Sequence, residues 1–291
     1  MNTFVLILLT GLGVGALYFL VAAGLSLIYG LMGVLNFAHG AFLTFGAFLG
    51  FVVAGQVGAT TWGGFALSLL VGALAGAAIA ALAELALIRP LYNRHIEQVL
   101  VTVGLGLAAV ALYEGIWGTD PIFFRGPAWL ETTSQVLGAR VPNKVFLFIA
   151  AAVLVLLAIV AFLRWTRFGL IIRAGVENRA MVTALGIDVR KAFTLVFSIG
   201  GAAAGLGGVL ASHHYGYVGA HMGQTLLIFA FIVTVIGGLG SLPGAALAAV
   251  VVAVPQQFAN YYWGVGDLIA VLALAVVLLV RPSGLMGAKA A

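Results

Sequence analysis

The sequence predicts an all-α fold, a polytopic bundle of about eight or nine transmembrane helices that forms one domain over residues 1–291. Hydrophobic residues make up 64% of the chain and charged residues 7%, against roughly 45–50% and about 25% in a soluble domain. The first 83 residues hold no Asp, Glu, Lys or Arg, so they have no charged side chain to present to water. A membrane β-barrel is disfavoured because its strands alternate apolar and polar residues, whereas residues 147–163 are apolar throughout.

The apolar stretches define the predicted helices. A helix needs about 20 apolar residues to span a bilayer. The candidate spans in chain order are 4–29, 37–57, 64–88, 98–118, 145–163, 192–212, 225–238, 244–260 and 266–281. The short ones among them predict broken or re-entrant helices, and an internal inverted repeat is possible. The first stretch lacks the basic start and the cleavage site of a signal peptide, so we interpret it as a span.

The long connections predict the orientation. Residues 164–191 carry six basic and two acidic side chains, and residues 119–144 carry three basic and two acidic ones. The positive-inside rule therefore places the first connection in the cytoplasm and the second outside. The C-terminal tail, with Arg281 and Lys289, is also expected in the cytoplasm. The N-terminus is then external if both early segments cross the membrane.

The net charge of +5 comes from these short connections and fits lipid headgroups, so no nucleic acid is expected as a partner. The chain has no cysteine, which excludes disulfides, thiolate metal sites and a cysteine nucleophile. Glycines recur one helical turn apart at 11 and 15, 72 and 76, and 201 and 205. Small residues at this spacing predict close helix packing.

Two apolar stretches are interrupted by glycine and polar residues, at 29–42 and at 235–247. Unpaired backbone is costly in hydrocarbon, so a broken helix survives only inside protein or along a cavity. Paired interruptions in the two halves of a chain are a pointer to a transport pathway, although either could be a plain turn. The predicted pathway residues are Asn36, Phe37, His39, Gly40, Gly237, Gly238, Gly240 and Ser241.

Individual polar residues have simpler alternatives. Asn36 could cap a helix that begins at Phe37. For His39, a hydrogen bond to a buried carbonyl is the commoner role, and contact with substrate is the alternative. Glu84 and Glu114 fall near the ends of predicted spans, where we expect their carboxylates to reach water.

The basic connection itself predicts a short helix. Ile172, Val176, Met181 and Leu185 recur on a loosely amphipathic pattern, which predicts a helix from about residue 174 to 185 that stops at Gly186. Such a helix can rest on the bilayer surface or dock in a groove of a soluble partner.

Three motifs carry a family resemblance: GLMGVLNFAHGAF at 30–42, RAGVENRAMVTALGID at 173–188 and GGLGSLPGA at 237–245. In this order and spacing they resemble the permease subunits of bacterial branched-chain amino acid ATP-binding cassette importers, specifically the shorter, H-type subunit. The resemblance covers nearly the whole chain. Ala41 departs from it, because many relatives carry an acidic residue at that position, and no role for that charge is carried over.

The resemblance implies partners in the inner membrane and on both sides of it. They are a second related permease that forms a heterodimer with this chain, two cytoplasmic ATPases and a periplasmic substrate-binding protein. It also implies that residues 173–187 couple to an ATPase groove. The coupling residues are Arg173, Ala174, Glu177, Asn178, Ala180, Leu185 and Gly186. No G-x-x-x-x-G-K-[ST] motif occurs, so ATP and Mg²⁺ are expected on the ATPases, with no cofactor and no enzymatic activity in this chain.

Three alternatives remain open. A sister permease of the same family for urea or short amides would have nearly the same sequence features. An ion-coupled secondary transporter would need a carboxylate in the middle of the membrane, and none lies clearly there. A membrane-embedded enzyme would need paired carboxylates, a metal cluster or a nucleophile with its base, for which Asn36 and His39 are too little.

Overall fold

The computed structural model describes residues 2–33, 35–92, 94–177, 179–186 and 188–286, with only the backbone of residues 31, 176, 177, 179, 180 and 183. The helices of this part of the chain are α1 Asn2–Met32, α2 His39–Val57, α3 Trp62–Ala83, α4 His95–Trp117, α5 Ala128–Glu131, α6 Lys144–Trp165, α7 Arg167–Glu177, α8 Arg179–Ala184, α9 Val189–Tyr215, α10 Met222–Gly237, α11 Leu242–Trp263 and α12 Gly266–Val280. A π turn at Glu84–Ile88 and a 3-10 turn at Arg89–Leu91 prolong α3. The short strands are β1 Ile122–Phe123, β2 Thr133–Val136, β3 Ala139–Pro142 and β4 Tyr217–Val218.

The predicted fold class is confirmed. Within the described residues, seven helices are long and apolar enough to cross a membrane, and α10 and α12 are shorter apolar helices. All nine correspond to the apolar stretches of the sequence. The boundaries move by a few residues: the second predicted span began at 37 and the helix begins at His39, while the seventh began at 225 and the helix begins at Met222.

Glycines let the central helices approach closely. A methyl group added at Gly24 of α1 would lie 2.5 Å from the carbonyl oxygen of Gly200 on α9. One added at Gly76 of α3 would lie 3.0 Å from Gly205 Cα on α9, and one at Gly11 of α1 would lie 3.0 Å from Val254 Cα on α11. The predicted role of the paired glycines in close packing is confirmed, because each crossing has no room for a side chain.

The contacts between helices follow an inverted repeat. Helix α1 packs on α11 as α9 packs on α3, and α10 packs on α1 as α2 packs on α9. Helices α1 and α9 run antiparallel, since Gly24 meets Gly200 while Gly207 lies against Leu20. Helix α2 follows the C-terminus of α1 and α10 follows the C-terminus of α9, so the two enter the bundle from opposite ends. This arrangement is typical of membrane transporters.

We call the end of the bundle that carries residues 119–144 the outer end and the end that carries residues 164–191 the inner end. At the outer end, β2 and β3 form a hairpin with a turn at Leu137 and Gly138, and Gly138 lies against the Asn2 side chain. Strand β1 pairs with β4, which ties the loop to the segment between α9 and α10. The start of α1 therefore lies at the outer end.

The C-terminal segment lies at the opposite end. The backbone nitrogens of Leu285 and Met286 donate to the carbonyls of Ile236 and Gly237, where α10 ends. The turn that follows α10 packs against the last turn of α1, where Gly240 contacts Gly30. Because α1 begins at the outer end, the described part of the tail lies at the inner end, together with the basic loop.

Candidate functional site

The break between α1 and α2 is held by the Asn36 side chain. Its Oδ1 accepts a hydrogen bond from the backbone nitrogen of Ala38 (3.0 Å), and its carbonyl accepts one from His39 N (3.2 Å). The predicted capping role is wrong, because α2 begins at His39, its N-cap residue is Ala38, and no side chain of the described residues caps it. The side chain closes the turn before the helix, which satisfies backbone donors that hydrocarbon could not.

His39 is fully buried and fastens α2 to α1. Its Nε2 donates to the Val21 carbonyl at 3.1 Å, and its ring meets Phe42 edge-on. A carbonyl only accepts, so Nε2 carries the proton. In this conformation helices enclose the imidazole, and its hydrogen bond serves to hold α1 and α2 together.

Gly40 lies where α2 crosses α10. A methyl group added there would be 2.5 Å from the Gly223 carbonyl oxygen. Thr44 bridges the crossing, since its hydroxyl donates to the Gly40 carbonyl (3.1 Å) and accepts from Gly223 N (3.0 Å). The starts of the two oppositely directed helices are therefore joined by backbone contact and one hydroxyl.

The second interruption is a tight turn between α10 and α11. Gly238 and Gly240 have φ angles of 98° and 83°, in a region that glycine adopts without strain. Ser241 caps α11 by accepting from Gly244 N at 3.1 Å. The sequence left open a transport pathway or a plain turn at this interruption, and its local geometry is that of a turn.

The two interrupted segments meet. A methyl group added at Gly30 would lie 3.1 Å from Gly240 Cα. Asn36, His39, Gly40, Gly237 and Gly238 are buried, and Gly240 and Ser241 are half-buried. Phe37 is 38% exposed and lies against Phe231, with ring centroids 6.4 Å apart. Among the predicted pathway residues that the structure describes, Phe37 is the side chain most open to the surroundings of this chain.

Glu84 corrects one prediction, because its side chain is fully buried rather than open to water. The carboxylate accepts from Arg89 Nε (3.2 Å), from the Thr194 hydroxyl (2.8 Å) and from the Tyr92 hydroxyl. Burial raises the pKa of Tyr92, and its hydrogen bond to Glu84 raises it further, so the phenol remains a donor. This cluster joins the inner ends of α3 and α9.

Glu114 pairs with a histidine near the outer end. The imidazole Nε2 of His221 lies 2.9 Å from Glu114 Oε1, and its Nδ1 lies 3.3 Å from Gln224 Oε1. The Glu114 side chain is partly exposed, as the sequence predicted. The pair connects α4 to the residue before α10.

The basic loop is helical over α7 and α8, and α7 begins at Arg167 rather than near the predicted start at residue 174. Arg173 and Leu185 are exposed, Ala174 is half-buried, and Gly186 follows the end of α8 with a φ of 78°. Ile172 and Val182 pack on the core of the bundle. Of the other predicted coupling residues, Asn178 and the side chains of Glu177 and Ala180 lie outside the described residues.

A family model described as the permease component of a branched-chain amino acid transport system matches residues 7–281. The chain belongs to this permease family. The permease LivH of the high-affinity branched-chain amino acid transport system of Salmonella typhimurium is 29% identical over 292 residues, with 95% of this chain and 93% of the relative covered. The permease BraD of Pseudomonas aeruginosa is 29% identical, with 96% and 94% covered. A probable LivH of Methanocaldococcus jannaschii is 28% identical, with 92% and 88% covered. No solved structure matches the chain.

The permease has a third break at residues 216–221, before α10, which the sequence analysis treated only as a connection between two predicted spans. A signal was present: Ala38, His39 and Gly40 at the first break are echoed by Ala-His-Met-Gly at 220–223. The two similar segments lie at the starts of α2 and α10, where these helices cross. A search for a short repeated motif at both breaks would have found Gly223.

Proposed function

We propose that this chain is the membrane-spanning permease subunit of an ATP-binding cassette importer that carries branched-chain amino acids across the bacterial inner membrane. The family match over residues 7–281 is the observation that carries the proposal. The LivH and BraD relatives are named as permeases of branched-chain amino acid transport systems, which supports this substrate class.

The bundle supplies one half of the transport pathway, and a related second permease supplies the other. A periplasmic binding protein delivers the amino acid at the outer end. Two ATPases bind at the inner end and supply ATP hydrolysis and Mg²⁺. Residues 119–144 form the external loop, residues 164–191 form the cytoplasmic coupling segment, and the C-terminus is cytoplasmic.

Transport proceeds by alternating access. Closure of the ATPases on ATP moves the coupling segment, and the bundle changes between outward-open and inward-open forms. Contacts at the inner end support this route: α7 packs on α9, and α9 is bonded to α3 through Thr194 and Glu84. A push on α7 therefore reaches two central helices of the bundle.

Helices α2 and α10 are the moving walls of the pathway. Each begins inside the bundle, and they meet at Gly40 and Gly223, where the Thr44 hydroxyl also accepts from Gly223 N. A crossing built from backbone contacts and one hydroxyl allows one helix to tilt on the other. The exposed Phe37 lies beside this crossing, where an apolar substrate side chain would meet an aromatic ring.

Uptake by right-side-out vesicles that contain the permease, its partner permease, the ATPases and the binding protein tests the proposal. We expect ATP-dependent uptake of radiolabelled leucine that stops when the ATPases are omitted. Uptake that depends on an ion gradient and persists without the ATPases would contradict the importer assignment. Uptake of urea or acetamide in place of leucine would contradict the substrate class.

A further inference from the structure

A small polar cavity lies at the inner half of the bundle, outside the helix crossing. Three polar residues line it, Asn36 before α2 and Gln98 and Thr102 on α4, among apolar side chains of α1, α9 and the π turn. Its volume is about 10 Å³ over the positions open to the centre of a water, which is enough for one water.

The orientation of both amides at the cavity is fixed by backbone groups. Asn36 Oδ1 accepts from Ala38 N at 3.0 Å, so Nδ2 is the atom left to act as donor. Gln98 Nε2 donates to the Leu91 carbonyl at 2.5 Å, so Oε1 is the atom left to act as acceptor. Neither amide can be turned over without losing its backbone hydrogen bond.

Among the described residues, neither Asn36 Nδ2 nor Gln98 Oε1 has a hydrogen-bond partner, although both side chains are at least 98% buried. An unpaired buried polar group is costly, and such groups in folded proteins normally have a partner. Here a free donor and a free acceptor line the same cavity. The site is therefore suited to a ligand that both accepts and donates hydrogen bonds.

Thr102 adds a third group. Its hydroxyl donates to the Val99 carbonyl at 2.9 Å, which leaves the oxygen lone pairs as acceptors. The cavity thus offers one donor from Asn36 and acceptors from Gln98 and Thr102, without a charged side chain. Neutral groups of this kind hold a zwitterion weakly, which suits a site that must release its ligand.

We propose that Asn36, Gln98 and Thr102 form an inner substrate subsite that binds the two charged ends of an α-amino acid. The carboxylate accepts from Asn36 Nδ2, and the ammonium group donates to Gln98 Oε1 and Thr102 Oγ1. This inference rests on the proposed transport function. In the closed form the subsite has the size of one water, and movement of α4 away from α1 opens it to the substrate.

Labelling of a single cysteine tests the subsite, because the chain has no cysteine of its own. Thr102→Cys is placed in the complete transporter in inside-out vesicles without ATP, and reaction with a small methanethiosulfonate reagent is timed. We expect leucine to slow the reaction at least fivefold. Leucinol, which lacks the carboxylate, and 4-methylpentanoate, which lacks the ammonium group, should protect much less.

Two variants make the test specific. Ser68→Cys is equally buried, but on α3 and away from the cavity, and leucine should not change its labelling. Ile28→Cys lines the cavity from α1 and should show the same protection as Thr102→Cys. It keeps the test possible if the Thr102→Cys transporter does not assemble. Equal protection by leucine and both analogues, or no protection at either cavity position, would overturn the subsite.

Gln98→Met in the Thr102→Cys background tests the ammonium contact. We expect the leucine concentration for half-protection to rise about tenfold, as for loss of a hydrogen bond to a charged group, and leucine to protect no better than 4-methylpentanoate. Gln256→Met, at another buried glutamine that bonds to Asp267 on α12, is the matched control and should change neither value. An unchanged half-protection concentration in Gln98→Met would contradict the contact.

Leucine uptake by the unmodified transporter is measured in parallel, with ATP, in right-side-out vesicles that contain the same complete transporter. Normal uptake with unprotected cavity thiols refutes the subsite and leaves the proposed function intact. Absent uptake by the unmodified transporter refutes the proposed function, and the subsite with it.

Discussion

At the scale of single residues, the first interruption is held by short-range contacts that leave little free space. His39 donates to a helix carbonyl, and Gly40 sits against the backbone of Gly223. In the described conformation both residues have structural roles. Their predicted contact with substrate requires the crossing of α2 and α10 to open, and substitutions can separate the two roles.

His39→Ala should lower the free energy of unfolding by about 1–3 kcal/mol, because it removes a buried hydrogen bond between α1 and α2. His39→Gln, which keeps a donor at similar reach, should recover part of the loss. Thermal unfolding in detergent, followed by a dye-free fluorescence scan, measures both. Loss of leucine uptake in His39→Ala without any change in unfolding temperature would favour direct substrate contact.

Gly40→Ala should destabilise the permease by about 1–3 kcal/mol, as expected for overpacking, because the added methyl group would lie 2.5 Å from the Gly223 carbonyl oxygen. Gly104→Ala on α4 is the control, since a methyl group there meets no atom of the described residues within 4 Å. The control should be neutral or slightly stabilising, owing to the better helix propensity of alanine. Similar melting temperatures for the two variants would show that the crossing tolerates a side chain.

At the scale of elements, the inner end is organised around one buried carboxylate and the two short helices beside it. Glu84 links the π turn after α3 to α9, and α9 follows directly from the basic loop. The proposed coupling segment packs on the bundle through Ile172 and Val182, while the Leu185 side chain is exposed. A helix that transmits a movement from a bound ATPase would need both a contact with the bundle and an exposed apolar side chain.

Glu84→Ala should cost about 3 kcal/mol of stability, because it leaves the partly buried Arg89 without its carboxylate partner. Glu97→Ala removes a carboxylate from an exposed pair with Arg94 and should cost less than about 1 kcal/mol. Denaturant-induced unfolding of the two purified variants compares them. Equal stabilities would mean that the buried cluster adds nothing to the fold.

Leu185→Asp should weaken binding of the ATPase subunits at least tenfold and reduce leucine uptake accordingly, because Leu185 is 69% exposed on the coupling segment and a charge opposes docking in an apolar groove. Leu137→Asp, at a 77% exposed leucine in the outer hairpin turn, is the matched control. Co-purification of the ATPases with each variant gives the result. Full ATPase recovery with Leu185→Asp would refute docking at this residue.

At the scale of the whole molecule, two helical repeats of opposite direction share the crossings of α1 with α9 and of α2 with α10. Each repeat brings one helix that begins inside the bundle. Because the repeats are inverted, equivalent helices of the permease face the outer and the inner end. Alternating access uses this geometry.

Cysteine labelling in intact cells can test the orientation. A thiol at Leu137→Cys should react with a membrane-impermeant maleimide added outside, and one at Leu185→Cys should react only after the cells are opened. Both side chains are exposed and lie at opposite ends of the bundle. The reverse pattern would contradict the orientation taken from the basic loop.

The sequence by itself determined the class of the molecule, the nine apolar helices and the two interruptions, because apolar runs and glycine clusters are local features of composition. It also placed the C-terminal end of the helical segment in the basic loop within a few residues, through Gly186, although the segment begins at Arg167 and not near residue 174. These properties depend on neighbours in the chain and on the thickness of a bilayer.

Only the tertiary structure decided which groups meet. The partner of His39 is a carbonyl in the middle of another helix, and Thr44 bonds to a glycine 179 residues away. The position of Glu84 near a span end predicted contact with water, but Arg89, Tyr92 and Thr194 enclose it. Burial and pairing depend on how distant segments pack, and no local pattern in the sequence encodes that packing.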